Sequence, residues 1–130
     1  MIDLVTKSRI IDILSLSKSI PVVQRCISTL ESALTTTYMV GDISVATKQI
    51  LGIYSERVLM VKHLKLVEIE GGDALVNALE KEPGDRVRII AFRTNKEEFL
   101  IFTDPALKRL IGCVSITRHS RGAGLKPSAS

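Results

Sequence analysis

The chain has 130 residues, of which 45% are hydrophobic and 25% are charged. That length suits one domain with a single buried core, so we expect one domain rather than two. The formal net charge of +4 permits a nucleic-acid partner without requiring one. The longest apolar runs are far shorter than the roughly 20 residues that cross a bilayer, which predicts that the protein does not span a membrane.

The amino terminus and the cysteines both favour an intracellular protein. A secretory signal peptide needs a continuous apolar stretch, and four charged residues interrupt this one: Asp3, Lys7, Arg9 and Asp12. Cys26 and Cys113 have no CxxC spacing and no His in metal-ligand register. We therefore expect two buried thiols rather than a zinc site or a disulfide, and a cytoplasmic location.

The amino-terminal half is expected to hold a short strand and three helices. Residues 2–5 predict an opening strand, and apolar residues at helical spacing predict a helix over residues 10–14. A second helix is expected to begin at Ser19-Ile20-Pro21, because proline is tolerated in the first helical turn. The alternative is a strand over residues 26–30 that ends at Glu31. Between residues 44 and 61, apolar side chains recur every three or four positions, which predicts a third helix.

The carboxyl-terminal half is expected to alternate strands and helices. The predicted elements are, in order, a strand (64–69), a helix capped by Asp73, a helix (87–94), a strand (99–102), a helix begun by Asp104-Pro105 and a strand (113–116). The last strand, helix and strand imply parallel pairing through a right-handed crossover.

Two aspartates lie where such a unit would hold a ligand. In open parallel sheets, ligands bind beyond the carboxyl ends of the strands, and Asp104 directly follows the predicted strand. Asp85 opens the preceding helix, so a helix packed antiparallel to that strand would bring Asp85 close to Asp104. Divalent cations such as Mg²⁺ or Mn²⁺ prefer carboxylate oxygens, and a metal-bound water suits phosphodiester attack. The alternative is that both aspartates only cap helices.

The segment GDRVRIIAFRTNKEEFLIFTDPALKRLIGCVSI, residues 84–116, resembles the carboxyl-terminal half of a PIN domain. In that family the segment consists of GD, a helix, a short apolar strand, TD, a helix and a last strand. The resemblance implies an α/β fold over residues 1–116, a three-layer α/β/α sandwich with a mainly parallel central sheet. Residues 117–130 are rich in Gly, Ser, Pro and basic residues, which predicts a basic, flexible tail.

The resemblance also implies an activity. PIN domains are nucleases in which three or four acidic residues bind Mg²⁺ or Mn²⁺ for RNA cleavage, and many are VapC-type toxins paired with an antitoxin. Asp85 and Asp104 would be the third and fourth acidic positions, and Glu31 is similar to the second. The implied partners are RNA, an antitoxin protein and a second copy of the chain.

The family's first acidic motif is where this sequence departs. The opening strand of a PIN domain ends in Asp-Thr-Asn or Asp-Thr-Ser, whereas the best-aligned stretch here is Thr6-Lys7-Ser8. Asp3 would substitute only if the strand register shifted by three residues. Three hypotheses follow: a metal-dependent ribonuclease that uses Asp85, Asp104, Glu31 and Asp3; a catalytically degenerate PIN-like module that binds nucleic acid or protein; and an unrelated α/β domain whose aspartates only cap helices.

Overall fold

The structure is a computed structural model that describes residues 4–32 and 39–119, with only the backbone of residues 39–42 and 57–59. The described helices are α1 (Leu4–Ser15), α2 (Pro21–Glu31), α3 (Thr47–Ile53), α4 (Leu59–His63) and α5 (Gly72–Glu80), with a π-helical turn at Tyr54–Val58. The strands are β1 (Met39–Ala46), β2 (Val67–Glu70), β3 (Arg86–Arg93), β4 (Glu98–Thr103) and β5 (Leu110–Arg118).

The five strands form one sheet in the order β1-β3-β4-β5-β2. Strands β3, β4 and β5 follow one another as hairpins, β1 pairs with β3, and β2 pairs with β5. All four pairings are antiparallel. The predicted three-layer sandwich around a mainly parallel sheet is therefore wrong, and so is the predicted crossover, because adjacent strands joined by short loops can only pair antiparallel.

The predicted helix over residues 87–94 is strand β3. Its sequence, RVRIIAFR, carries apolar side chains on both faces, since Val87 packs into one core cluster and Ile90 and Phe92 pack into the other. A strand with one exposed face alternates apolar and polar residues, and burial on both faces removes this pattern. The apolar residues of β3 then also fit the spacing of a helix. β-branched and aromatic residues in this run favour the strand.

The predicted helix after Asp104 is the loop of the β4–β5 hairpin. The chain makes a single turn there, in which the Leu107 N–H donates to the Asp104 carbonyl at 3.0 Å. Leu107 then adopts a left-handed conformation with φ of +57°, which ends the helical path. Aspartate followed by proline occurs at turns as well as at helix starts. The sequence signal was therefore compatible with both, and the predicted helix was wrong.

The amino-terminal helices are partly as predicted. Residues 10–14 are helical, and α2 begins at Pro21, which also rules out the alternative strand over residues 26–30. The opening strand is wrong for Leu4 and Val5, which lie in α1. The predicted helix over residues 44–61 is also wrong at its start, because β1 continues to Ala46.

The strands at 64–69, 99–102 and 113–116 are confirmed in substance by β2, β4 and β5. Helix α5 is confirmed too, but Gly71 rather than Asp73 is its N-cap. Gly71 has a φ of +87°, and a Cβ there would lie 2.6 Å from the Cys113 carbonyl oxygen. Only glycine meets both conditions without strain.

Two apolar clusters lie on opposite faces of the sheet. On the first face, which we call the closed face, α1 and α2 pack over Ile90, Phe92, Phe99 and Ile101. On the second, which we call the open face, α3 and α5 pack over a cluster that includes Val87, Phe102 and Val114. Cys26 and Cys113 are free, buried thiols of the closed face, as predicted. Within the described residues, every helix is too short or too polar to cross a membrane.

Candidate functional site

Asp85 and Asp104 lie at the same end of the sheet, although not for the predicted reason. Asp85 precedes β3 and Asp104 follows β4, and these strands pair antiparallel with Arg88 opposite Thr103. That register places Asp104 level with Val87, so Asp85 lies about two residues, or ~7 Å, further along the strand direction. Asp85 is exposed, and its carbonyl oxygen accepts a 3.0 Å hydrogen bond from the Thr47 N–H.

The Asp104 carboxylate has a structural role in the β4–β5 loop. Its Oδ1 accepts hydrogen bonds from the backbone N–H groups of Lys108 at 2.6 Å and Arg109 at 2.8 Å. Burial by itself would raise the pKa of Asp104, but these hydrogen bonds and the Arg109 charge lower it below its usual value. The anion is therefore stabilised by the loop that it closes.

Glu82, which the sequence analysis did not select, is the acidic residue that contacts this loop. The Arg109 guanidinium donates a short hydrogen bond to the Glu82 carboxylate, and that bond is the main reason why the pKa of Glu82 is lowered. The Glu82 side chain is 4% exposed. Arg109 thus lies beside both carboxylates and compensates their charge.

The remaining predicted ligands do not join this cluster in the described structure. Glu31 is an exposed residue at the end of α2, Asp3 lies outside the described residues, and Thr6, Lys7 and Ser8 belong to α1. Within residues 4–32 and 39–119 there is no group of three or more His, Cys, Asp or Glu side chains that could hold a metal ion. The Mg²⁺ or Mn²⁺ site with Asp85, Asp104, Glu31 and Asp3 therefore stays a prediction from the sequence.

The open face carries the more distinctive feature, an apolar cavity of about 290 Å³ between the sheet and the helices that cover it. We call it the apolar groove. All five strands contribute to its floor, and α3, the π-helical turn and α5 form its walls. Its central floor residues, one each from β3, β4 and β5, are only partly buried; they are Ile89, Leu100 and Ile116.

Strand register explains why the floor is continuous. Ile43 lies opposite Ile89 on one row, Leu100 lies opposite Val114 on the next row of this face, and Ile69 lies opposite Ile116 on the row after that. The apolar floor therefore crosses the sheet diagonally over three rows. Cross-strand neighbours on one face pack against each other, which makes a smooth apolar surface. Ile43, at the β1 edge, is 61% exposed, and the groove therefore opens to solvent there.

Two polar side chains, Gln49 and Tyr54, also line the groove. Tyr54 begins the π-helical turn, and its hydroxyl donates to Asp73 Oδ1 at 3.5 Å. Burial, together with the Asp73 charge, raises the pKa of Tyr54. A Cβ at Gly72 would lie 2.7 Å from that hydroxyl, so the absence of a side chain lets the ring approach α5. Tyr54 therefore lines the groove from the first position of the π-helical turn. Such turns occur frequently at functional sites.

Comparison of the chain with protein-family models, with curated proteins and with solved structures found no match. The resemblance to PIN domains accordingly stays a prediction, and its implied fold is the part that the antiparallel sheet contradicts.

Sequence reasoning missed the groove because it assigned helices to two of the segments that build its floor. The available signal was the run of apolar residues in β3, β4 and β5, all of which carry apolar side chains on both faces. A sheet of this kind needs cover on both faces, and the short α3 and the nine-residue α5 cannot cover five strands.

Proposed function

We propose that this protein is a binding module that holds a small apolar molecule in the apolar groove. The observation that supports it is the cavity itself: eleven of its thirteen lining residues are apolar, and Gln49 and Tyr54 are the exceptions. Ligand sites are typically concave, mostly apolar and furnished with a few polar groups that orient the ligand.

The size of the groove favours a small molecule over a protein surface. A volume of about 290 Å³ lies just below the range of about 300–1,000 Å³ that is usual for small-molecule sites. Filling it would remove the half-buried side chains of Ile89, Leu100 and Ile116 from water, at roughly 25 cal/mol for each Å² of apolar surface.

Like the second hypothesis from the sequence, this proposal describes a binding module. Its ligand is a small apolar molecule instead of nucleic acid or protein. The metal-dependent ribonuclease, its RNA substrate, an antitoxin, a homodimer and a cytoplasmic location all remain predictions from the sequence. The formal net charge of +4 is the observation that is compatible with a nucleic-acid partner.

Titration with Nile red, a neutral dye whose fluorescence rises in apolar surroundings, tests the proposal. We expect saturable binding of one dye per chain, weakened at least tenfold by Ile89→Trp, which fills the groove from its floor. Leu16→Trp is the matched control, because Leu16 is 86% exposed in a turn away from the groove. Equal dye binding by wild type and both variants, with unchanged circular dichroism, would contradict the proposal.

A further inference from the structure

The apolar groove continues into a polar depression at one end of the sheet. Ile116 lines both the groove and this second cavity, of about 150 Å³, which lies beside the β3–β4 turn. Its charged lining residues include Arg93, Lys96, Glu98 and Arg118. A molecule that lies along the groove can therefore reach these charges without leaving the sheet.

Strand geometry places the two arginines on the groove side of the sheet. Side chains two residues apart on a strand share a face, so Arg118 shares the face of Ile116, and Arg93 shares that of Ile89. Arg93 lies opposite Glu98, which in turn lies opposite Ile116. Arg93 and Arg118 thus lie on the groove side of the sheet on neighbouring rows, with the Glu98 strand between them.

The charge on this side of the sheet is positive. Arg118 approaches the Glu98 carboxylate only to 3.9 Å, and its side chain is 75% exposed, so this pair is weak. The other nearby carboxylate, that of Glu97, is engaged with Arg25 of α2 and with the Ser115 hydroxyl. Glu97 also lines the depression, so three cationic side chains there face two carboxylates, of which Glu97 is already engaged.

We propose that the ligand of the groove is a single-chain anionic amphiphile, a free fatty acid, whose carboxylate binds at Arg93 and Arg118 while its hydrocarbon chain fills the groove. This inference rests on the proposed function and adds the chemical class of the ligand. Arginine pairs well with a carboxylate because its planar fork donates two parallel hydrogen bonds. The bounded volume of the groove suits one chain rather than a bilayer surface.

Calorimetry on the full chain with three amphiphiles of equal chain length tests the inference: dodecanoate, dodecan-1-ol and dodecyltrimethylammonium, each below its aggregation concentration. We expect dodecanoate to bind at least tenfold more tightly than the alcohol, and the cation to bind most weakly. The double variant Arg93→Gln/Arg118→Gln should lower dodecanoate affinity to that of the alcohol and leave alcohol binding unchanged. Arg9→Gln, on the exposed side of α1, is the matched control and should change neither.

The outcomes separate the two proposals. Equal affinity for dodecanoate and dodecan-1-ol would overturn the anionic ligand and leave the apolar groove supported. Loss of alcohol binding in the double variant would show that the arginines act through the fold, and would also overturn it. Absence of binding by all three would overturn the proposed function itself. Tighter binding to anionic phospholipid vesicles than to dodecanoate would replace the free fatty acid with a membrane surface.

Discussion

The two faces of the sheet differ in how completely helices cover them. On the closed face, α1 and α2 leave Ile90, Phe92, Phe99 and Ile101 with no exposed surface, and the Phe92 and Phe99 rings stack with centroids 5.2 Å apart. On the open face, Val87, Phe102 and Val114 are also buried, but Ile89 and Leu100 are only half-buried. Both faces therefore carry a core, and the open face also leaves room for a ligand.

The difference follows from what each face receives from the chain. α1 and α2 have 12 and 11 residues, and a bidentate ion pair from Arg25 to Glu70 holds α2 against the β2 edge. Within residues 4–32 and 39–119, the open face receives the seven residues of α3, a π-helical turn and α5. An apolar face that is left exposed to water is unfavourable, and exposed apolar surfaces commonly mark binding sites.

The largest expected effect is a contrast between adjacent residues of β4. Phe99→Ala should lower the free energy of unfolding by about 3–5 kcal/mol, because it leaves a cavity in the closed face. Leu100→Ala should cost only about 1–2 kcal/mol, because Leu100 is half-exposed to the groove. Urea unfolding measures both variants. Equal losses would show that the two faces are equally well packed, and the comparison would fail.

A second contrast concerns two glycines near the helices of the open face. Gly71→Ala should destabilise the protein by about 1–3 kcal/mol, because it combines a left-handed φ with a clash against the Cys113 carbonyl oxygen. Gly52→Ala should stabilise it by about 0.5–1 kcal/mol, since Gly52 lies within α3 and no atom approaches its added Cβ within 4 Å. Thermal unfolding of both variants gives the signs. A stabilising Gly71→Ala would contradict the observed cap.

The third contrast, smaller in effect, tests what the two predicted aspartates do. Asp104→Ala should cost about 1–2 kcal/mol at pH 7, because it removes the acceptor of two loop N–H groups, whereas the exposed Asp85→Ala should change stability by less than about 0.5 kcal/mol. Because the pKa of Asp104 is lowered by folding, its stabilisation is present above about pH 4 and is lost as the pH falls through the folded pKa. Unfolding measured from pH 7 to pH 3 should show this difference shrinking.

The same two variants decide the ribonuclease prediction. In that hypothesis Asp85 and Asp104 share a metal, so each substitution should abolish both Mn²⁺ binding in calorimetry and Mn²⁺-dependent RNA cleavage. A structural role predicts that the variants differ in stability and that neither changes Mn²⁺ binding. Wild-type protein that cleaves RNA with Mn²⁺, and loses that activity in both variants, would restore the acidic site.

Parts of the fold were predictable because their signals are local. Pro21 is tolerated in the first turn of a helix, Gly71 separates β2 from α5, and the apolar FLIF run of β4 predicts a buried strand. The two buried cysteines were predicted from their spacing in the sequence, without CxxC and without a His in metal-ligand register. None of these features depends on which strands become neighbours.

The acidic site was only half predictable. The sequence predicted Asp104 as the cap of a helix that does not form, and the structure shows its carboxylate accepting two backbone hydrogen bonds in the β4–β5 loop instead. It could not identify Glu82 or Arg109, because their contact joins residues 27 positions apart across the sheet end. Pairs of this kind arise from strand order, which a single sequence does not display.

The sequence by itself determined several of the helices and strands and the two buried thiols. Only the tertiary structure decided that β3 is a strand, that every pairing is antiparallel and that the open face retains a groove ending at Arg93 and Arg118. The physical reason is that burial on both faces erases the periodicity that distinguishes strand from helix. Which face stays open then depends on how much helix the fold places over it.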